Sequence, residues 1–398
     1  MDVRAQFPAL GLPVNGKRLA FLDSGASAQK PQVVLDALTA VLSGPYANIH
    51  RGLYHNSAET TAAFEAARVT LAAFLKVDTQ SLIFTRNATE GVNLVAQTWG
   101  RANLREGDVV VVTEIEHHAN LVSWQLLATE KGLTIRVIPL AVLQDMDEAV
   151  LAPYLDGARL VAVTQMSNVS GFRPDLGVLI PVAKRAGAMV LVDGSQAVVH
   201  GPQDVSALGC DFYVCTGHKL YGPNGIGLLW GRAEILAAMP PYQGGGDMIE
   251  TVVLPMGTTF AAAPARFEAG TPAIAEAIGL AAAAEFVTGL GWDNIVAHEH
   301  ALAVKLSEAL AGLEFVDVYS PHGTGIVAFN VMGAHPADVA TLLDAQGVAV
   351  RSGHHCAMPY MKRLGIEGCL RASLALYSCE EDIEQLVVGL VKAKEMLG

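Results

Sequence analysis

Between residues 81 and 230 the chain repeats one pattern: a short run of apolar, often β-branched residues, then a stretch with helical spacing. The runs are Ser81–Thr85, Val109–Thr113, Thr134–Leu140, Leu160–Gln165, Met189–Val192, Phe212–Thr216 and Gly225–Trp230. Most are continuously apolar rather than alternating, which is how strands read when helices cover both faces of their sheet. Helical patterns at Gly91–Trp99, Asn120–Lys131 and Asp175–Ala186 lie between them. The alternation predicts a large α/β domain around a mostly parallel, seven-stranded sheet. With 52% hydrophobic and 16% charged residues among 398, the chain has the apolar material to cover such a sheet.

From about Ala273 the texture changes. An Ala-rich helical stretch runs to about Thr288, where Gly289 and Gly291 mark a break. Then come a helix (Trp292–Leu310), a strand (Gly325–Val331), a helix (Pro336–Gln346), strands at Val348–Arg351 and Leu370–Leu376, and a last helix (Glu380–Leu397). This predicts a smaller α+β domain at the C-terminal end. The expected division is 21–289 for the large domain and 290–398 for the small one, with 1–20 packing on the latter.

The net charge of -13 argues against nucleic acid as a main partner, because phosphate binding needs clustered Lys and Arg. No run reaches the roughly 20 apolar residues of a membrane span, and Met1–Leu10 lacks the apolar centre of an export signal. A cytoplasmic protein without a membrane partner is the expectation. The five cysteines form no C-x-x-C pair, so reduced thiols and no metal centre are expected.

Three segments carry chemistry. Asp193-Gly-Ser-Gln196 directly follows an apolar strand, where ligands gather in open α/β sheets; taken alone, Asp193 reads as a helix cap. Thr216-Gly-His218-Lys219 follows another strand and runs into a Gly-rich turn. A partly desolvated lysine has a lowered pKa and can bind an aldehyde covalently; a surface loop lysine is the bland alternative. Asn87-Ala88-Thr89-Glu90 leads from a strand into a helix start, a natural phosphate site and equally a plain helix start. Together they fit pyridoxal 5'-phosphate: Asp193 at the ring nitrogen, Lys219 at the aldehyde carbon, and Thr89, Thr216 and His218 around the phosphate. Glu116-His117-His118 follows the Val109–Thr113 strand and offers an imidazole to stack on the ring.

Here the chain resembles the SufS-like cysteine desulfurases of the class V aminotransferase group, which are fold-type I PLP-dependent transferases. The matching stretches span nearly the whole chain and include Phe21-LDSGASAQKP, Asn48-IHRG, Asn87-ATEGVNLVA, Glu116-HHAN, Val192-DGSQA, Thr216-GHKLYGPNGIG, Arg266-FEAGTP, Arg351-SGHHCAMP and Leu370-RASLALY. The resemblance implies that Lys219 holds the cofactor, that Asp193 and Gln196 touch its ring nitrogen and phenolic oxygen, and that His117 stacks on the ring. It implies a phosphate cup of Ala88, Thr89, Thr216 and His218, completed by Thr271 from the other subunit of a homodimer. Arg371, supported by Asn168, matches the clamp for the substrate carboxylate; His50 and Arg51 match entrance residues near the dimer partner. Two stretches depart from the pattern: Asn87-Ala88 replaces the more usual Gly-Thr, and Ser170-Gly-Phe-Arg-Pro replaces a Leu-Gly-Thr type.

Cys356 sits in Arg351-Ser-Gly-His-His-Cys356-Ala-Met-Pro359. Neighbouring His and Arg favour the thiolate, the nucleophilic form, whereas three consecutive residues rarely converge on one metal ion. The resemblance makes Cys356 the persulfide cysteine. The implied reaction removes sulfur from L-cysteine, leaves L-alanine, and needs a sulfur-acceptor protein (SufE- or SufU-like) on the way to iron–sulfur clusters. A selenocysteine lyase is the rival enzyme, and a non-enzymatic relative of the fold is the rival of another class.

Overall fold

A computed structural model describes residues 3–398. Its centre is a seven-stranded sheet. Across the sheet the strands run Leu82–Thr85, Gly227–Gly231, Phe212–Thr216, Met189–Asp193, Ala158–Thr164, Val109–Thr113 and Thr134–Ile138. Gly227–Gly231 is antiparallel to both neighbours and every other pairing beyond it is parallel. The expected fold class therefore stands, with strand ends shifted by one or two residues. Thr134–Leu140 ends earlier, at Ile138, because Pro139 opens a short helix at Leu140–Gln144.

The continuous apolar runs are explained by burial on both faces. Val110, Val112, Leu191, Val214 and Leu229 point into one core. Val111, Val190, Val192, Tyr213 and Leu228 point into the other. Each such side chain contributes about 1.5–3 kcal/mol by leaving water. Helix Ala88–Val95 lies directly on the sheet, since a Cβ on Gly91 would stand 2.9 Å from Val214 Cγ1. The helices Gln32–Ser43 and His55–Leu75 went unread in the sequence; only the second has weak apolar patterning, and both pack on helix Ile274–Leu290. That helix passes through Gly289, and the chain breaks at Gly291 (φ 82°) before Trp292–Ala311.

The C-terminal part forms a four-stranded antiparallel sheet in the order Val316–Val318, Ile326–Val331, Cys369–Ser373, Arg351–Gly353. Helices Trp292–Ala311, Pro336–Asp344 and Glu380–Leu397 supply its core through Leu306, Val339, Leu343 and Leu386. The run Val348–Arg351 is split: Val348–Ala349 pairs in parallel with Ala20–Phe21, while Arg351–Gly353 pairs with Cys369–Ser373. The N-terminal segment reaches both parts. Phe7 meets Tyr221, Phe286 and Tyr377 at ring-centroid distances of 6.0, 5.9 and 4.7 Å. Buried Asp382 pairs with Arg4 (3.2 Å) and Arg18 (2.7 Å). Among the described residues no single helix is long and apolar enough to cross a membrane.

Two glycines make opposite predictions. A Cβ on Gly194 would fall 1.8 Å from Tyr213 Oη, which is held by Gln165 Oε1 at 2.9 Å. Gly194→Ala is therefore expected to destabilise the protein by about 1–3 kcal/mol. Gly289 is exposed inside a helix with nothing near its Cβ position, so Gly289→Ala should stabilise by about 0.5–1 kcal/mol. Chemical denaturation of both variants checks the pair.

Candidate active site

The carboxyl ends of the parallel strands converge on a cavity of about 220 Å³. Leu82–Thr85 delivers Ala88 and Thr89; Val109–Thr113 delivers His117; Ala158–Thr164 delivers Asn168; Met189–Asp193 delivers Asp193 and Gln196; Phe212–Thr216 delivers Thr216, His218 and Lys219. The antiparallel sheet closes the cavity from above with Arg351, His355, Cys356 and Arg371. All of the expected site residues except Thr271, His50 and Arg51 thus stand around one space.

The floor of the cavity suits a phosphate ester. Asn87 caps its helix by accepting the Glu90 N–H at 2.9 Å, and the earlier N–H groups of that first turn have no partner inside the helix. Gly227 lets the turn sit close, because a Cβ there would be 2.6 Å from Asn87 Cα. The hydroxyls of Thr216 and Ser195 are buried and have no hydrogen-bond partner. A buried hydroxyl left unpaired is costly, and both line this cavity. A phosphorylated ligand held at a helix start and by hydroxyls would satisfy them, so the residues present fit pyridoxal phosphate. Asp193 also acts locally: its Oδ1 accepts the Ser195 N–H at 2.9 Å, the turn-capping role that its sequence position allowed.

Burial and charge tune the titratable groups. Burial lowers Lys219 to about 8; Asp193 opposes the shift and Arg371 adds to it. Burial, then Lys219, holds His117 near 4. His218 is likewise held near 4 by burial, then by Lys219 and Lys30. Glu116, fully enclosed beneath His117, is pushed up to about 8 by burial. Its carboxyl accepts hydrogen bonds from Thr113 Oγ1 (2.6 Å), Asn120 Nδ2 (2.7 Å) and Thr164 N (2.9 Å), tying two strands to the helix that follows His117.

The Cys356 loop is fixed by its backbone. His355 and Cys356 both adopt left-handed conformations (φ 51° and 54°), unusual for two successive non-glycine residues. Asn168 Nδ2 donates to His355 O (2.7 Å) and His118 N donates to Cys356 O (2.7 Å). Met358 N donates to His118 Nε2 (3.1 Å). His355 Nε2 donates to Cys369 O (3.0 Å), leaving its buried Nδ1 without a partner. Cys210, Cys215 and Cys369 are buried thiols raised to about 12 or beyond by burial.

Sequence reading assigned no role to Asp23, Lys30, Glu116 or Ser195, and read Arg351 only as a cation near Cys356. Arg371 Nη2 donates to Asp23 Oδ1 at 3.1 Å and Nη1 to Asn168 O at 2.7 Å, while its buried Nε has no partner. Asn168 thus supports Arg371 through its carbonyl and the cysteine loop through its side chain. Lys30 Nζ donates to His218 O (3.1 Å), and burial lowers it to about 8. The signal for Asp23 and Lys30 lay in the Phe21-LDSGASAQKP stretch. Gln196 Nε2 donates to Gly25 O (2.8 Å), so it also anchors that stretch over the cavity.

Thr271, His50 and Arg51 lie elsewhere. Thr271 and Gly270 line one cavity; His50, Arg51, Gly270 and Pro272 line the next. Arg51 Nε pairs with Asp247 (2.9 Å), and Gly270 N donates to Gly246 O (3.0 Å), so the three expected residues form one patch apart from Lys219.

The buried imidazoles give an acid-stability prediction. Burial, then Arg371, holds His355 near 3 in the fold, against about 6.5 when unfolded. The unfolded chain therefore binds more protons below pH 6.5, and stability present above that pH is lost as pH falls toward about 3. His117 and His218 act in the same direction. His355→Gln should flatten the fall, by at most about 1.4 kcal/mol per pH unit. Urea denaturation between pH 7 and 4.5 measures the slope.

The aminotransferase class-V family matches residues 20–386. A cysteine desulfurase of Dickeya dadantii is 49% identical over 100% of this chain and 97% of its own length. The crystal structure of the Escherichia coli cysteine desulfurase CsdA superposes with a TM-score of 0.91 at 40% identity, covering 99% of this chain and 98% of that one. A lysine-to-alanine mutant of the protein C-DES, with glycine covalently linked to its PLP cofactor, gives 0.84 at 26% identity over 98% and 99%. By its sequence over nearly its full length, the chain belongs to the aminotransferase class-V family.

Proposed function

We propose that this chain is a PLP-dependent cysteine desulfurase that takes sulfur from L-cysteine as a persulfide on Cys356. The observation that carries the reading is the placement of the Cys356 thiol, on a loop from the antiparallel sheet, in the cavity that holds Lys219 and the unpaired Thr216 and Ser195 hydroxyls. The similarity to cysteine desulfurases over the whole chain supports it.

Bound PLP supplies an electron sink for charge at the substrate Cα. Arg371 binds the substrate carboxylate with donors that include its free Nε. Lys219, held near 8 by burial, carries a proton to and from Cα. His117 stays uncharged at neutral pH and can lie against an aromatic ring without adding a cation. The Cys356 thiolate attacks the substrate sulfur. The new S–S bond forms as the Cβ–S bond breaks, its electron pair stays with carbon, and protonation there gives L-alanine. A persulfide must be passed on, and a SufE- or SufU-like acceptor feeding iron–sulfur cluster assembly in the cytoplasm completes the reading.

The same proposal includes a homodimer with shared sites. Leu53, two residues after Arg51, and Leu254 and Met256, in the segment that follows Asp247, are almost fully exposed, with Val252 and Val253 largely so. Exposed apolar groups gathered in this way mark an interaction surface, and a second copy would cover them while bringing Thr271 to the phosphate.

Two experiments test these statements. Cys356→Ser should keep the PLP absorbance and bind L-cysteine, yet lose at least about 100-fold in alanine production, because a serine hydroxyl is a far weaker nucleophile than a thiol. Near wild-type alanine formation by this variant would refute the role. Mixing Lys219→Ala with Thr271→Ala should restore part of the activity, since heterodimers would contain one intact site. A monomer by sedimentation, fully active when dilute, would refute the shared site.

A further inference from the structure

The segment Ser170-Gly-Phe-Arg-Pro, where the chain departs from the family pattern, borders a cleft of about 330 Å³. Met166 lines both this cleft and the Lys219 cavity. Phe172, Arg173 and His200 reach it from the side of the large sheet. Glu299, on helix Trp292–Ala311, and the turn before strand Ile326–Val331 reach it from the antiparallel layer. Its walls are held in place: Thr324 Oγ1 donates to Ser170 O at 3.1 Å, and a Cβ on Gly171 (φ 69°) would stand 2.8 Å from Thr324 Cβ.

Glu299 is half satisfied. Its side chain is 8% exposed, and its Oε2 lies 2.7 Å from His200 Nδ1. The other oxygen, Oε1, is buried and has no hydrogen-bond partner. A buried acceptor without a donor is costly, and His200 serves only Oε2. Arg173 is exposed where it lines the cleft and makes no ion pair among the described residues. The charge of Glu299 acts on it without closing a pair. The cleft thus presents an unmet acceptor and an unpaired planar cation, with the apolar side chains of Phe172 and Met166 around them.

We infer that this cleft is a second small-molecule site, taking a small amino acid as its zwitterion, with the ammonium on Glu299 Oε1 and the carboxylate on Arg173. The inference goes beyond the desulfurase reading and does not rest on it. An ammonium gives Oε1 a charge-assisted hydrogen bond, and a guanidinium holds a carboxylate with paired N–H donors. A plain anion would meet the Glu299 carboxylate, and a plain cation would meet Arg173; a zwitterion suits both. Among the described residues no group of three or more His, Cys, Asp or Glu side chains could hold a metal ion, so an organic ammonium is the fitting cation. A ligand held by Arg173 and Glu299 at once would also join the two layers, and binding to the folded state alone stabilises it.

The probe is sarcosine, a zwitterion whose secondary amine forms no neutral imine with PLP. The PLP-loaded protein is titrated calorimetrically with sarcosine, methylammonium and acetate, while the cofactor absorbance is followed. One sarcosine should bind per chain without changing that absorbance, and each half-ligand should bind at least about tenfold more weakly, having lost one charge-assisted contact. Arg173→Ala and Glu299→Gln should each weaken sarcosine by about tenfold, the loss of one such contact, and Arg173→Lys should retain most of the affinity. Arg173 is exposed, so its variants test the site even where Glu299→Gln disturbs the packing around His200. No binding of sarcosine at millimolar concentration overturns the inference, since water or Arg173 itself then completes Glu299. Binding that both substitutions leave unchanged, or that shifts the cofactor absorbance, overturns it as well, because the ligand then sits elsewhere.

Discussion

The hydrogen bond from His118 N–H to the Cys356 carbonyl joins the two sheets where the chemistry lies. On one side is the turn that follows Val109–Thr113 and carries His117; on the other is the loop that follows Arg351–Gly353 and carries the thiol. Asn168 Nδ2 on His355 O and Met358 N on His118 Nε2 flank that bond. The apolar core is continuous beneath it, since Ala357, Tyr360 and Cys369 share one cluster with Val111, Val192 and Tyr213. Burial pushes the pKa of His118 down, with His354 adding to it. That keeps His118 Nε2 an acceptor for Met358, so the join does not depend on a charge that neutral pH would remove.

The same closure produces the electrostatics. Covering the carboxyl edge of the parallel sheet removes water from Lys219, His117, His218 and His355, and desolvation leads the shift at each. The lost hydration disfavours the charged forms, so the imidazoles stay neutral and the amine approaches neutrality. Asp193 works against this trend at Lys219 and His117, because its carboxylate favours the cations. One fold-level event thus lowers the charge of the amine and of the imidazole rings together.

How much of this was legible followed from distance along the chain. Lys219, Thr216, His218 and Asp193 each come directly after an apolar strand, and a parallel sheet places all strand ends on one edge. Reading the strands was therefore nearly enough to place the site. The pairing of Asp23 with Arg371 was invisible because it is reached only through tertiary contact; the two are 348 residues apart. Val348–Arg351 read as one strand because its apolar run is unbroken, yet the two halves pair with different partners. Helix His55–Leu75 buries Phe64, Leu71 and Leu75 among alanines and threonines, so its apolar stripe is faint in sequence. Thr271, His50 and Arg51 could be named only by resemblance, since nothing within one copy brings them to Lys219.

The left-handed pair His355–Cys356 limits how the Cys356 thiol can move. Three backbone atoms are committed there: His355 O to Asn168, Cys356 N to His354 Nδ1 at 3.1 Å, and Cys356 O to His118 N. Ala357 N is likewise committed, to His354 O at 2.9 Å. Moving the loop as a body would break several of these bonds at once. What stays free is rotation about the Cys356 Cα–Cβ bond, among a few staggered wells. The residue is half-buried at the cavity rim. A thiol turning on a fixed pivot can face the cavity in one well and the outside in another, and on the proposed role of Cys356 an added sulfur would extend its reach by about 2 Å. The strained backbone therefore holds the pivot still while the thiol alone can turn.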